Sequence, residues 1–183
     1  MKRKLQLCAM SFLSVMATTA HSESTGTIDF IGSVTDTTCN VNVDGQGNNA
    51  TITLPTVPVD ELQKEGETTG RTEFQMLLSD CSVGESGVDK VAAFFVQGAT
   101  VDSFTGRLIN QSTDGAENVS LELSDAQTST PIMVGAESQE NDNKYEYITD
   151  GTAKLAYAVA YYAEGNVTPG AVTSSVVYNL QYK

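Results

Sequence analysis

Apolar and polar residues alternate with period two over much of the chain, most plainly in its last stretch. From Val172 to Tyr182 one set of alternate positions holds Val172, Ser174, Val176, Tyr178, Leu180 and Tyr182. The other set holds Thr173, Ser175, Val177, Asn179 and Gln181. Side chains on a strand point alternately to opposite faces, so this pattern predicts a strand with one face packed inward. Similar short runs predict strands near 27–34, 50–54, 72–79, 91–97, 118–123, 130–134 and 154–163. The alanines of 154–163 would also suit a helix, but Tyr157, Val159 and Tyr161 alternate and no cap flanks them. Turn chemistry separates the runs, at Asp44 to Asn49, Ser82 to Asp89, Thr113 to Glu117 and Glu164 to Asn166. The stretch 55–70 has two prolines and no alternation, and predicts a loop with at most one helical turn near Asp60–Lys64. The polar run Glu137–Asn143 predicts a solvated loop. No long segment shows the 3.6-residue period of a helix, so the expectation is an all-β sandwich. Its terminal strand needs a neighbour, drawn either from earlier in the chain or from another molecule.

The front of the chain changes the picture of its destination. Lys2, Arg3 and Lys4 precede a mostly apolar run from Leu5 to Ala17, and Ala20-His21-Ser22 offers small residues for cleavage. That is the layout of a secretory signal, too short to span a bilayer. Residues 1–22 are expected to be removed after Ser22, with Ala20 or Ala17 as alternatives, leaving 23–183 as one soluble, exported domain. Of 10 Lys+Arg the signal takes three, so 7 remain against 23 Asp+Glu and the net charge moves from −13 to −16. Such a surface repels phosphate backbones and anionic lipid, which disfavours nucleic-acid binding and electrostatic membrane attachment. Cys8 leaves with the signal. Cys39 and Cys81 remain as an even pair in an exported chain, and a disulfide between them is expected.

Candidate chemistry is thin. The one histidine, His21, falls in or beside the signal, so no Ser/His/Asp or Cys/His arrangement is available. No placement selects a catalytic carboxylate pair, and neither zinc-ligand spacing nor a phosphate-cradling glycine loop occurs. Asn40-Val-Asn-Val-Asp-Gly echoes a calcium loop, but Thr51 stands where its bidentate acid belongs. Asn-x-Ser/Thr triplets begin at Asn49, Asn110, Asn118 and Asn166, as expected by chance in a chain rich in these residues. The expectation is a protein that is not an enzyme and carries no metal or cofactor.

Several stretches together resemble one family. Gly26-Thr-Ile-Asp-Phe-Ile-Gly32, running on to Cys39, is similar to an alternating arm and first strand before a first cysteine. Asp80-Cys81 after an alternating strand is similar to the second cysteine. Ala158–Ala163 followed by Thr168-Pro-Gly-Ala resembles a penultimate strand and turn. Gly170, fourteenth from the end, the alternating residues after it and the penultimate aromatic Tyr182 resemble the closing motif. The family is the fimbrial subunits of the chaperone–usher pathway, in particular the major rod subunits of type 1-like fimbriae. The resemblance implies an incomplete immunoglobulin-like β-sandwich lacking its final strand and completed by a donated one. It implies a groove edged by Gly170, Val172, Val176, Tyr178, Leu180 and Tyr182. It also implies a donor arm over residues 23–31, presenting Ser24, Gly26, Ile28 and Phe30, ahead of the sandwich at 32–183. The partners it implies are neighbouring fimbrial subunits, a periplasmic chaperone and an outer-membrane usher. The route runs through the periplasm to the cell surface, without membrane insertion, in support of adhesion. The alternative is a minor or adaptor subunit, or a small glycan-binding adhesin on the same fold.

Overall fold

The computed structural model describes residues 28–30, 32, 34, 38–83 and 87–183. The signal segment with its cleavage site, Ser24, Gly26 and the middle of the 82–89 turn lie outside the described residues. The chain divides into residues 1–33 and 34–183, and the second unit holds the sandwich. Its strands are β1 (Thr38–Val43), β2 (Thr68–Ser82), β3 (Lys90–Val96), β4 (Leu108–Ile109), β5 (Val119–Asp125), β6 (Glu146–Tyr147), β7 (Ala153–Ala163) and β8 (Val177–Tyr182). A single helical turn, α1 (Gln139–Asp142), and a 3-10 turn, Val59–Glu61, interrupt them.

One sheet runs β1-β2-β7-β5-β4 and the other β6-β3-β8, with every neighbouring pair antiparallel. The sheets close on alternate residues of their strands. Phe74, Met76 and Leu78 from β2 meet Leu155, Tyr157 and Val159 from β7, and Val91, Ala93 and Phe95 from β3. Tyr157 stands edge-on to Phe95, ring centroids 5.0 Å apart, a geometry that aromatic quadrupoles favour. Burial pushes its phenol up to about 12, so it stays neutral while accepting the Ala93 N–H at 3.0 Å. The Cys39–Cys81 disulfide joins β1 to β2 beside a register shift between Thr38 and Asn40.

The predicted strand at 27–34 is not formed at the described residues 28–30, 32 and 34, and the first ladder begins at Thr38. Alternation reports a segment fit for a sheet without saying which chain supplies the sheet. The run 130–134 makes only one bridge, Ser124 to Pro131, though Ile132 and Val134 are buried. A larger correction concerns Glu137–Asn143, expected to be a solvated loop. Gln139 within it is 1% exposed, because its amide pairs with a strand backbone. Gln139 Oε1 accepts from Phe95 N at 3.0 Å and its Nε2 donates to Phe95 O at 2.9 Å. Asn143 Nδ2 donates to Ala93 O at 2.8 Å. β6 pairs the start of the β3 edge that faces away from β8, and with Tyr157 on Ala93 N these side chains satisfy that edge at Ala93 and Phe95. Unpaired strand edges invite pairing with other chains, and this one is closed group by group.

Candidate functional site

Among the described residues the opposite edge of the same sheet is open. β8 ends its sheet, with β3 on one side. Lys183 exchanges backbone hydrogen bonds with Lys90, which sets the parity: odd-numbered residues bond toward β3. The N–H and C=O groups of Tyr178, Leu180 and Tyr182 therefore point away from it. Upstream the same parity continues. Ala171 O and Thr173 O accept from Ala116 N and Gln111 N, at 3.0 and 2.7 Å. Ser175 O accepts from Thr100 Oγ1 at 2.6 Å. Val172, Ser174 and Val176 thus turn their backbone groups the other way, together with the edge of β8. All six even-numbered side chains from 172 to 182 are half-buried, whereas Thr173, Ser175, Val177 and Asn179 are exposed.

Across a gap lies a second extended segment, residues 50–57. Ile52, Leu54 and Val57 are half-buried on its inner side, and no ladder among the described residues includes it. Its ends are braced by side chains. Gln46 exchanges two bonds with the Thr51 backbone, at 3.1 and 3.2 Å, and the Tyr161 hydroxyl donates to Pro55 O at 3.2 Å. The gap is a groove of about 470 Å³ whose floor is the core itself: Phe74, Met76, Phe95, Leu108, Leu121, Leu123 and Val159. A second cavity of about 320 Å³ opens at the Gly170 end, between Val57, Leu62, Val119, Val167 and Val172. Two tyrosines tie the banks at the other end. Tyr178 donates to Asn48 O at 2.8 Å, and the Tyr182 hydroxyl is hydrogen-bonded to the backbone of Cys39. Burial raises both phenols above their ordinary value, so they remain neutral.

Gly170 belongs here by contact. A Cβ on it would overlap the Ala116 backbone nitrogen, and one on Gly115 would overlap the Ala171 carbonyl oxygen. Two bare backbones thus press together where the groove begins. Gly170→Ala is expected to destabilise the fold by about 1–3 kcal/mol, the usual range for overpacking a filled site. Denaturant melts of both forms check this, and equal midpoints would refute it.

Ile28 and Phe30 are 77% and 90% exposed. Asn110 is a residue that sequence reasoning missed. Its Nδ2 donates to Ala116 O and Ala171 O, and its Oδ1 accepts from Thr173 N, which fastens the 171–173 bank. Its Asn-Gln-Ser triplet carried no sign of that work. No group of three His, Cys, Asp or Glu able to hold a metal occurs among the described residues, and the groove floor is wholly apolar. An apolar trough between two unpaired backbone edges can take up an extended strand: hydrogen bonds on both sides, side chains below.

Comparison with known proteins agrees in kind. Residues 54–183 match the family model described as FimA, Type-1 fimbrial protein, A. The major fimbrial subunit SMF-1 of Stenotrophomonas maltophilia is 41% identical over 167 residues, covering 89% of this chain and 95% of that one. The F17 fimbrial protein of Escherichia coli is 34% identical over 175 residues, covering 95% and 96%. A solved chaperone–usher pilus subunit superposes with a TM-score of 0.61 at 18% identity, covering 91% of this chain and 100% of that one, a likeness of fold.

Proposed function

The chain belongs to the FimA family of type-1 fimbrial proteins and is a fimbrial subunit, and we propose that it joins its neighbours by strand exchange. In this reading the groove between 50–57 and 171–182 accepts the amino-terminal arm of the next subunit. The arm spans about residues 23–31 after cleavage at Ser22 and lays Ser24, Gly26, Ile28 and Phe30 over the core. The observation that carries it is the pair of extended segments, unpaired among the described residues, that face each other across an apolar floor. Exposed Ile28 and Phe30 supply the complementary side chains.

One arm per groove, repeated head to tail, is a heterologous contact that does not close on itself, so it propagates as a filament. Before assembly the same edge is an aggregation hazard. A periplasmic chaperone that lends a strand to Val172–Tyr182 would remove it, and an outer-membrane usher would exchange that strand for an arm at the cell surface. The fibre then serves adhesion. The acidic surface, with 23 Asp+Glu against 10 Lys+Arg in the whole chain, suits a protein that is abundant outside the cell and must stay soluble until it is joined.

A peptide of residues 23–32 tests the reading directly. Added to the monomeric mature chain at one hundred times its dissociation constant, it should contribute about 2.7 kcal/mol by mass action. For a domain of this size that is a rise in Tm of about 5–11 °C. A melting temperature indifferent to the peptide overturns strand exchange.

A further inference from the structure

The groove is not uniform along its length, and Tyr178 is where it changes. From Ser174 to Tyr178 the floor is bare core, and the second cavity lies beyond Val172. At Tyr178 the chain's own phenol crosses the gap and donates to Asn48 O at 2.8 Å. Tyr182 makes a parallel tie to Cys39. The acceptor is firmly placed, because Asn48 sits in a turn closed by Val43 N to Gly47 O at 2.7 Å and by the Gln46 amide on Thr51. A ring anchored at both ends occupies volume that an incoming side chain would otherwise take.

A strand seated beside β8 in the antiparallel sense, as all neighbouring strands are here, meets its inward positions at two-residue steps. From the cavity end these are Val172, Ser174, Val176 and Tyr178, and the arm offers Phe30, Ile28, Gly26 and Ser24. Phe30 then lies by Val172 and the second cavity, Ile28 faces Ser174, Gly26 faces Val176, and Ser24 faces the Tyr178 ring. Bulk meets room at each step. The parallel sense would press Phe30 onto the ring and leave serine over the cavity.

Resting on the strand-exchange reading, we propose that Tyr178 is the specificity-determining residue of the groove. Its ring admits only a small side chain beside it, so the groove seats arms of this chain's type and refuses those with a bulky residue at that step. Discrimination lies in the ring's volume rather than in the hydroxyl. Negative selection of this kind works by steric conflict with the wrong partner.

The test measures binding of two peptides of residues 23–32, native and Ser24→Leu, to the monomeric mature chain. Four proteins are compared: wild type, Tyr178→Phe, Tyr178→Ala and Tyr178→Val, the last keeping some packing should alanine fail to fold. Wild type and Tyr178→Phe should prefer the native peptide by about 10- to 100-fold, the size of an overpacking clash. In Tyr178→Ala or Tyr178→Val the ratio should fall to within about threefold of unity. Equal binding of both peptides to wild type overturns the proposal and leaves strand exchange standing. So does a preference that survives in both the alanine and valine variants. If neither peptide binds any of the four, strand exchange itself is overturned.

Discussion

A mature chain carrying Ile28→Asp and Phe30→Asp is expected to form no fimbriae while its own domain melts at the wild-type temperature. The two halves of that result have separate causes. Ile28 and Phe30 are 77% and 90% exposed. Substitutions at such positions usually change stability by less than about 0.5 kcal/mol. Between subunits Ile28 would lie opposite Ser174 over the apolar floor of the groove, and Phe30 beside Val172 at the second cavity. Burying both should contribute about 3–6 kcal/mol per junction. Losing that weakens each junction by about 100- to 10,000-fold, and a carboxylate placed on an apolar floor adds its own desolvation. A filament multiplies the defect, because every subunit depends on its junction. Electron microscopy of cells and scanning calorimetry of the purified chain read the two quantities. Fimbriae in wild-type numbers would refute the assignment of the arm, and a large fall in Tm would place these residues in the subunit's own core.

The paired substitution Cys39→Ser and Cys81→Ser is expected to lower stability by about 4 kcal/mol, from the loop entropy that the link removes from the unfolded chain. In a domain of this size that is a fall in Tm of about 8–16 °C. The sequence separation is 42 residues, and the bond ties β1 to β2. β1 is an edge strand with β2 as its neighbour in the sheet. It leads into the turn that carries Asn48, so loosening it also loosens one bank of the groove. Thermal unfolding with and without a reductant checks the size of the effect. A loss under about 1 kcal/mol would mean that β1 is held by its ladder alone.

Both predictions draw on features of unequal legibility. The long strands could be read, because seven to fifteen residues are enough to display a period. β4 and β6, two residues each, could not, since two positions carry no period. The buried Gln139 was misread because composition assigns a polar run to solvent. Here its amide is the cheapest available partner for the Phe95 backbone, and only the closeness of α1 to β3 makes that so. Gly170 was read from its Thr-Pro-Gly context as a turn glycine. Its real constraint is contact with Gly115 and Ala116, more than fifty positions earlier.

The sequence by itself determined the periodicity of the terminal strand, down to which six side chains turn inward, because side-chain direction on a strand is a local property. It likewise determined that no histidine is available for catalysis within the sandwich. Tertiary structure alone decided that 50–57 would face 171–182, that core residues from five strands would form the floor between them, and that Tyr178 would reach Asn48. Those are meetings between segments up to 130 residues apart. A strand's pattern states that it needs a partner; which backbone is near enough to be one depends on how the whole chain closes, and among the described residues it closes with the outer edge of β8 unpaired.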